Sequence, residues 1–142
     1  MRNNLLKYMS LAVLFFSFSS VQAAGPVLDH VPGTTKVNAE KVLDLAESLP
    51  DLVIVDARIP QDRQAAGWIP GAVFLPNIET DEASLANVIP TKSTPVVFYC
   101  NGPKCGRSGD SATKAVKAGY KNIYYFQGGW EEWASAGLPA ER

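Results

Sequence analysis

Cys100 closes an apolar run, Pro95-Val96-Val97-Phe98-Tyr99, and opens the stretch Cys100-Asn101-Gly102-Pro103-Lys104-Cys105-Gly106-Arg107-Ser108. A helical pattern starts straight after. The cysteine is therefore expected between a buried strand and a helix N-terminus. There, loop N–H groups and the positive end of the helix dipole favour a thiolate over a thiol. Cys100 is the candidate nucleophile. Lys104 and Arg107 add positive charge, and Asn101 offers an amide near the sulfur. Gly102 and Gly106 are expected to take the positive φ angles of a cradle, stiffened by Pro103. Such a loop can hold a sulfur anion and receive an anionic substrate at Asn101, Gly102, Lys104, Gly106 and Arg107.

Both cysteines of the chain, Cys100 and Cys105, lie in this loop. A bridge between them would constrain the loop and not the domain, which favours reactivity over scaffolding. Cys105 is a candidate resolving or regulatory thiol, or a loop thiol with no role.

The surrounding pattern alternates helices and strands. Asn38 can cap a helix from Ala39 to about Ser48, with Val42, Leu45, Ala46 and Leu49 as its apolar stripe. Leu52 to Val55 is a β-branched run suited to a buried strand, closed by Asp56-Ala57-Arg58. A short helix is expected from about Pro60 to Ala66, and a second strand at Ala72 to Leu75. Asp81 to Asn87 reads as a short helix, and Pro95 to Tyr99 as the strand that delivers Cys100. Ser108 is expected to cap a helix that runs to Ala118 and stops at Gly119. Ile123 to Phe126 is a further strand, and Trp130 to Ala136 a last helix. This is an α/β pattern: a small, mainly parallel sheet with helices on both faces. Ligands in such sheets bind beyond the carboxyl ends of the strands, where Cys100 falls.

The chain has 142 residues. Arg2 and Lys7, the apolar stretch Leu11 to Phe18 and the small residues around Ala23 read as a signal peptide over 1–23, cut before Ala24. The expected location is therefore periplasmic or secreted, with no stable membrane association after cleavage. Residues 24–34 read as an irregular lead-in and 35–142 as one domain. Without Arg2 and Lys7 the chain keeps 11 basic against 14 acidic side chains. No basic stripe marks it for nucleic acid. His30 is the only histidine, so neither a metal site nor a cysteine–histidine catalytic pair is expected, and no cofactor is called for. Glu131-Glu132 and Glu79 to Glu82 read as solvated charges at helix starts.

Several segments resemble the rhodanese-like (sulfurtransferase) domain. Val53-Ile54-Val55-Asp56-Ala57-Arg58 is similar to the family's buried strand with its Asp-x-Arg ending. Gly67-Trp68-Ile69-Pro70-Gly71-Ala72 resembles its Gly-His-Ile-Pro-Gly-Ala turn, with Trp68 in place of His. Val97-Phe98-Tyr99-Cys100 resembles the strand before the catalytic cysteine. Arg107-Ser108, Gly119-Tyr120, Gly128-Gly129-Trp130, Trp133 and Gly137-Leu138-Pro139 resemble the remaining signature. The loop is about two residues longer than is common in single-domain members. The resemblance implies a cysteine that accepts sulfane sulfur from a small anionic donor such as thiosulfate and passes it to a thiol or other thiophilic acceptor. Asp56 and Arg58 are expected to brace the loop as an ion pair.

Three other functions fit the same residues. A thiol–disulfide redox protein would use Cys100 and Cys105, although their spacing is not Cys-x-x-Cys. A cysteine phosphatase or arsenate reductase would want an Arg six residues after the nucleophile, where Arg107 is seven. A non-catalytic module could bind anions on the same scaffold.

Overall fold

The computed structural model describes residues 25–142. The segment read as a signal peptide lies outside the described residues. Five strands, β1 (Thr35–Lys36), β2 (Val53–Asp56), β3 (Val73–Phe74), β4 (Val96–Tyr99) and β5 (Ile123–Phe126), form one sheet in the order β1-β5-β4-β2-β3. Every pairing is parallel. Five helices cover it: α1 (Ala39–Ser48), α2 (Pro60–Ala66), α3 (Glu82–Val88), α4 (Arg107–Lys117) and α5 (Gly129–Ser135).

Alternation along the central strand splits the core into two layers. Val96 and Phe98 of β4 pack with Leu85 of α3 and with Ala112 and Ala115 of α4. Val97 and Tyr99 pack with Val42 and Leu45 of α1 and Trp133 of α5. All four β4 side chains are 0% exposed. Burying each apolar one is worth ~1.5–3 kcal/mol, so the strand that carries Cys100 is among the most firmly held parts of the molecule. Asp56 pairs with Tyr99 in register, which brings the carboxyl ends of β2 and β4 side by side just before Cys100.

The helices begin where local chemistry allows. Asn38 accepts from the Lys41 N–H to start α1, and Pro60 supplies the first turn of α2. Asp81 and Ser84 form a reciprocal capping box at α3, which also lowers the Asp81 pKa through the Ser84 N–H.

Three local expectations are corrected. Ser108 does not cap α4: the helix starts at Arg107 behind Gly106, and the Ser108 hydroxyl is engaged by a sulfur instead. Gly102 and Gly106 do not take positive φ; Gly106 is at −86°. Glu132 is not simply solvated, because its Oε1 accepts from the Ala39 N–H at 2.7 Å and tethers α5 to the start of α1. Residues 25–34 hold no helix or strand, yet they are built into the core. Val31 is fully buried, and the Leu28 carbonyl accepts from the Tyr125 hydroxyl at 2.7 Å.

Candidate active site

Cys100 follows β4 directly and is 0% exposed. Its Sγ meets the first turn of α4, where the Ser108 N–H donates at 3.4 Å and the Ser108 Oγ lies at 3.2 Å. These donors sit at the positive end of an eleven-residue helix, so they favour negative charge on the sulfur. Sequence reasoning looked for them between Asn101 and Arg107. The Cys105 N–H is instead committed to the Gly102 carbonyl at 3.0 Å, closing a turn within the loop. Ser108 was missed as a site residue because a serine at a helix start reads equally well as a cap.

Cys100 and Cys105 are joined in a disulfide, with Cα atoms 6.4 Å apart. The Cys105 carbonyl oxygen lies 3.3 Å from the Cys100 Sγ. A bonded sulfur has no proton to give, so the two Ser108 groups are its hydrogen-bond donors in this form. The two sulfurs differ in access: Cys105 keeps 8% exposure where Cys100 has none. Arg107 directs Nη1 to the Cys105 Sγ at 3.8 Å, a contact at the edge of the sulfur range. Asp56 and Asp110 do not pair with it: Asp56 is held by Arg58, and Asp110 by Lys114 at 2.9 Å. Lys104 is exposed at the loop tip.

The loop is anchored from two sides. The N–H groups of Trp130 and Glu131 at the start of α5 donate to the carbonyls of Cys100 and Asn101, each at 2.8 Å. Gly129, at φ +57°, is required by this close approach, since a Cβ there would collide with the Cys100 carbonyl. Gly102 does not take a positive φ, and an added Cβ there would meet the exposed Glu131 side chain, whose carboxylate end is free to move aside. On the other side, Asn101 does not face the sulfur. Its amide donates to Asp62 of α2 at 2.6 Å and pins the loop to that helix.

Beneath the loop lies the ion pair expected at Asp56 and Arg58, both fully buried. Arg58 Nε and Nη2 grip the two carboxylate oxygens at 2.9 and 2.7 Å. Asp56 also accepts from the Arg58 N–H at 3.1 Å, the Tyr99 hydroxyl at 3.0 Å and Arg63 Nη1 at 3.2 Å. A buried carboxylate with this many donors is satisfied. Burial opposes the Arg58 charge, but the Asp56 hydrogen bonds and charge outweigh it and raise its pKa. Burial and the Asp56 charge push the Tyr99 phenol well above its ordinary range. Arg58 Nη1 has no hydrogen-bond partner, and its guanidinium lies over the Trp130 ring at 5.2 Å. The brace thus reaches from β2 under the loop to α5. Trp68 stacks on Arg63 at 4.2 Å and donates its indole N–H to Glu141 at 2.8 Å.

A family model described as the rhodanese-like domain matches residues 38–136. A rhodanese domain-containing protein of Drosophila melanogaster is 30% identical over 109 residues, covering 67% of this chain and 92% of its own. A thiosulfate sulfurtransferase of Pseudomonas aeruginosa superposes with a TM-score of 0.64 and 28% identity over 77% of this chain and 20% of that one. A human single-domain sulfurtransferase superposes with a TM-score of 0.58 and 25% identity, over 72% of this chain and 96% of that one. The parallel sheet, the cysteine loop between β4 and α4 and these likenesses agree: the chain belongs to the rhodanese-like domain family, with a sulfurtransferase-type fold.

Proposed function

We propose that this protein is an exported sulfurtransferase that carries sulfane sulfur on Cys100. The carrying observation is the placement of the Cys100 Sγ at the α4 N-terminus against the Ser108 N–H and Oγ, an anion-favouring seat at the end of the central strand. In the reduced protein the Cys100 thiolate attacks the outer sulfur of a donor such as thiosulfate. The donor's S–S bond breaks, sulfite leaves with the electron pair, and Cys100 holds a persulfide. A thiophilic acceptor then takes the outer sulfur and regenerates the thiolate. Arg107 and Lys104 attract the anionic donor to the loop. The Asp56–Arg58 brace fixes the strand ends that set the sulfur's position and takes no part in bond making.

Support for thiosulfate comes from the loop's positive charge and from the sulfurtransferases among the similar structures. Export is supported by the pattern of residues 1–23, and a mature N-terminus at Ala24 would bear it out. The test of the chemistry is steady-state sulfite release from thiosulfate with cyanide as acceptor, after full reduction and with a dithiol present to keep the loop cysteines open. Cys100→Ser is expected to abolish it; full activity in that variant would overturn the assignment.

The phosphatase alternative is less well supported. Arg107 stands seven residues after Cys100, one more than that chemistry uses.

A further inference from the structure

The geometry points to Cys105 as the internal acceptor of this site, so that the protein releases sulfide and is reset by an external dithiol. The inference rests on the Cys100 persulfide proposed above. Three observations carry it. The two sulfurs meet in a bond within a loop that has its internal turn and its ties to α5 in place. Five residues of separation hold the Cys105 thiol at an effective concentration of about millimolar or more, so it competes well with free acceptors. Arg107 faces Cys105 and not Cys100, and a guanidinium beside a thiol favours the attacking thiolate.

The step balances as follows. The Cys105 thiolate forms a bond to the Cys100 Sγ. The bond from that Sγ to the outer sulfur breaks, and the outer sulfur departs with the electron pair, taking a proton from water to leave as hydrosulfide. The sulfane sulfur gains two electrons, and the two cysteines lose them as they become the disulfide. An external dithiol then attacks the more exposed sulfur, Cys105, and is itself oxidised to a disulfide. The leaving group is the Cys100 thiolate, which Ser108 and the α4 terminus receive. The observed disulfide is then a member of the cycle, and donor cannot load Cys100 until it opens.

The test is a single turnover. Reduced, desalted protein is mixed with thiosulfate under nitrogen with no other thiol, and a control omits the donor. Sulfide is titrated and intact mass recorded. The wild type is expected to release one equivalent of sulfide per chain and to become two hydrogens lighter, in the donor sample only. Cys105→Ser is expected to become one sulfur atom heavier and to release none, and Cys105→Ala to repeat this. A wild type that keeps its added sulfur and releases no sulfide overturns the internal acceptor but leaves the persulfide standing. Loss of two hydrogens without sulfide also overturns it. If none of the three proteins takes sulfur, the persulfide reading itself fails, and the inference with it.

Discussion

Removing the Ser108 hydroxyl probes the seat of the nucleophile directly. Ser108 is fully buried, and its Oγ is 3.2 Å from the Cys100 Sγ. Ser108→Ala deletes that donor and leaves the backbone N–H at 3.4 Å in place. A hydrogen bond to a charged group contributes about 1.5–3 kcal/mol. At 1.36 kcal/mol per pKa unit, its loss should raise the Cys100 thiol pKa by about 1–2 units. The thiolate fraction on the acid side of the titration then falls about 10- to 100-fold. The experiment is best done on Cys105→Ser, where Cys100 is the only thiol. The rate of iodoacetamide alkylation is followed against pH for this protein and for the double variant. The expected result is an upward displacement of the inflection by about 1–2 units with an unchanged plateau rate at high pH. An inflection that does not move would refute the view that Ser108 holds the anion, and a capping role would then suffice. A lower plateau alone would indicate altered access instead.

Other outcomes follow from the same geometry. Asp56→Ala leaves the Arg58 guanidinium buried without its partner and should lower stability by about 3–5 kcal/mol in urea denaturation; a loss under about 1 kcal/mol would contradict the ion-pair account. The folded protein holds the Tyr99 phenol protonated beyond its ordinary pKa, chiefly by burial. Its contribution is therefore complete below about pH 10 and is lost as pH rises towards the folded value. Tyr125 is raised in the same sense, so the measurable quantity is the difference: Tyr99→Phe should flatten part of the alkaline fall in stability. An identical alkaline fall in both proteins would contradict the assignment. Gly129→Ala forces a Cβ onto the Cys100 carbonyl at a left-handed φ and should cost at least about 1–2 kcal/mol, with sulfur transfer reduced more than binding of an unreactive anion. Equal stability and activity would show that the α5 start does not fix the loop.

What could be read from the residues divides along local and distant causes. The α1 helix was legible because Asn38 caps it and its apolar stripe repeats at helical spacing, and α2 because Pro60 starts it. Strands β2, β4 and β5 were legible as β-branched or aromatic runs. Strand β1 was not, since Thr35 and Lys36 are two exposed residues whose only reason to be extended is pairing with Tyr124 and Tyr125 far along the chain. The 3-10 turn at Asn77–Glu79 carries no local signal either. At the site, Cys100 and the Asp56–Arg58 pair stood out from residue type and spacing. The partners of Asn101, Glu131 and Glu132 did not, because each depends on how α5 and α2 close around the loop. The same holds for Arg63, which no motif links to Asp56 until α2 packs beside β2. Glycine roles were misjudged for a related reason. Gly102 faces the Glu131 side chain, which arrives from the other end of the domain, and sequence alone shows only the glycine.

The central claim is that Cys100 carries the sulfur. The most direct measurement treats reduced Cys105→Ser with thiosulfate radiolabelled in its outer sulfur, then maps the label by non-reducing peptide analysis. The account predicts one labelled sulfur per chain, on the peptide containing Cys100, released by cyanide. Label absent from that peptide while the protein is folded and fully reduced would contradict it.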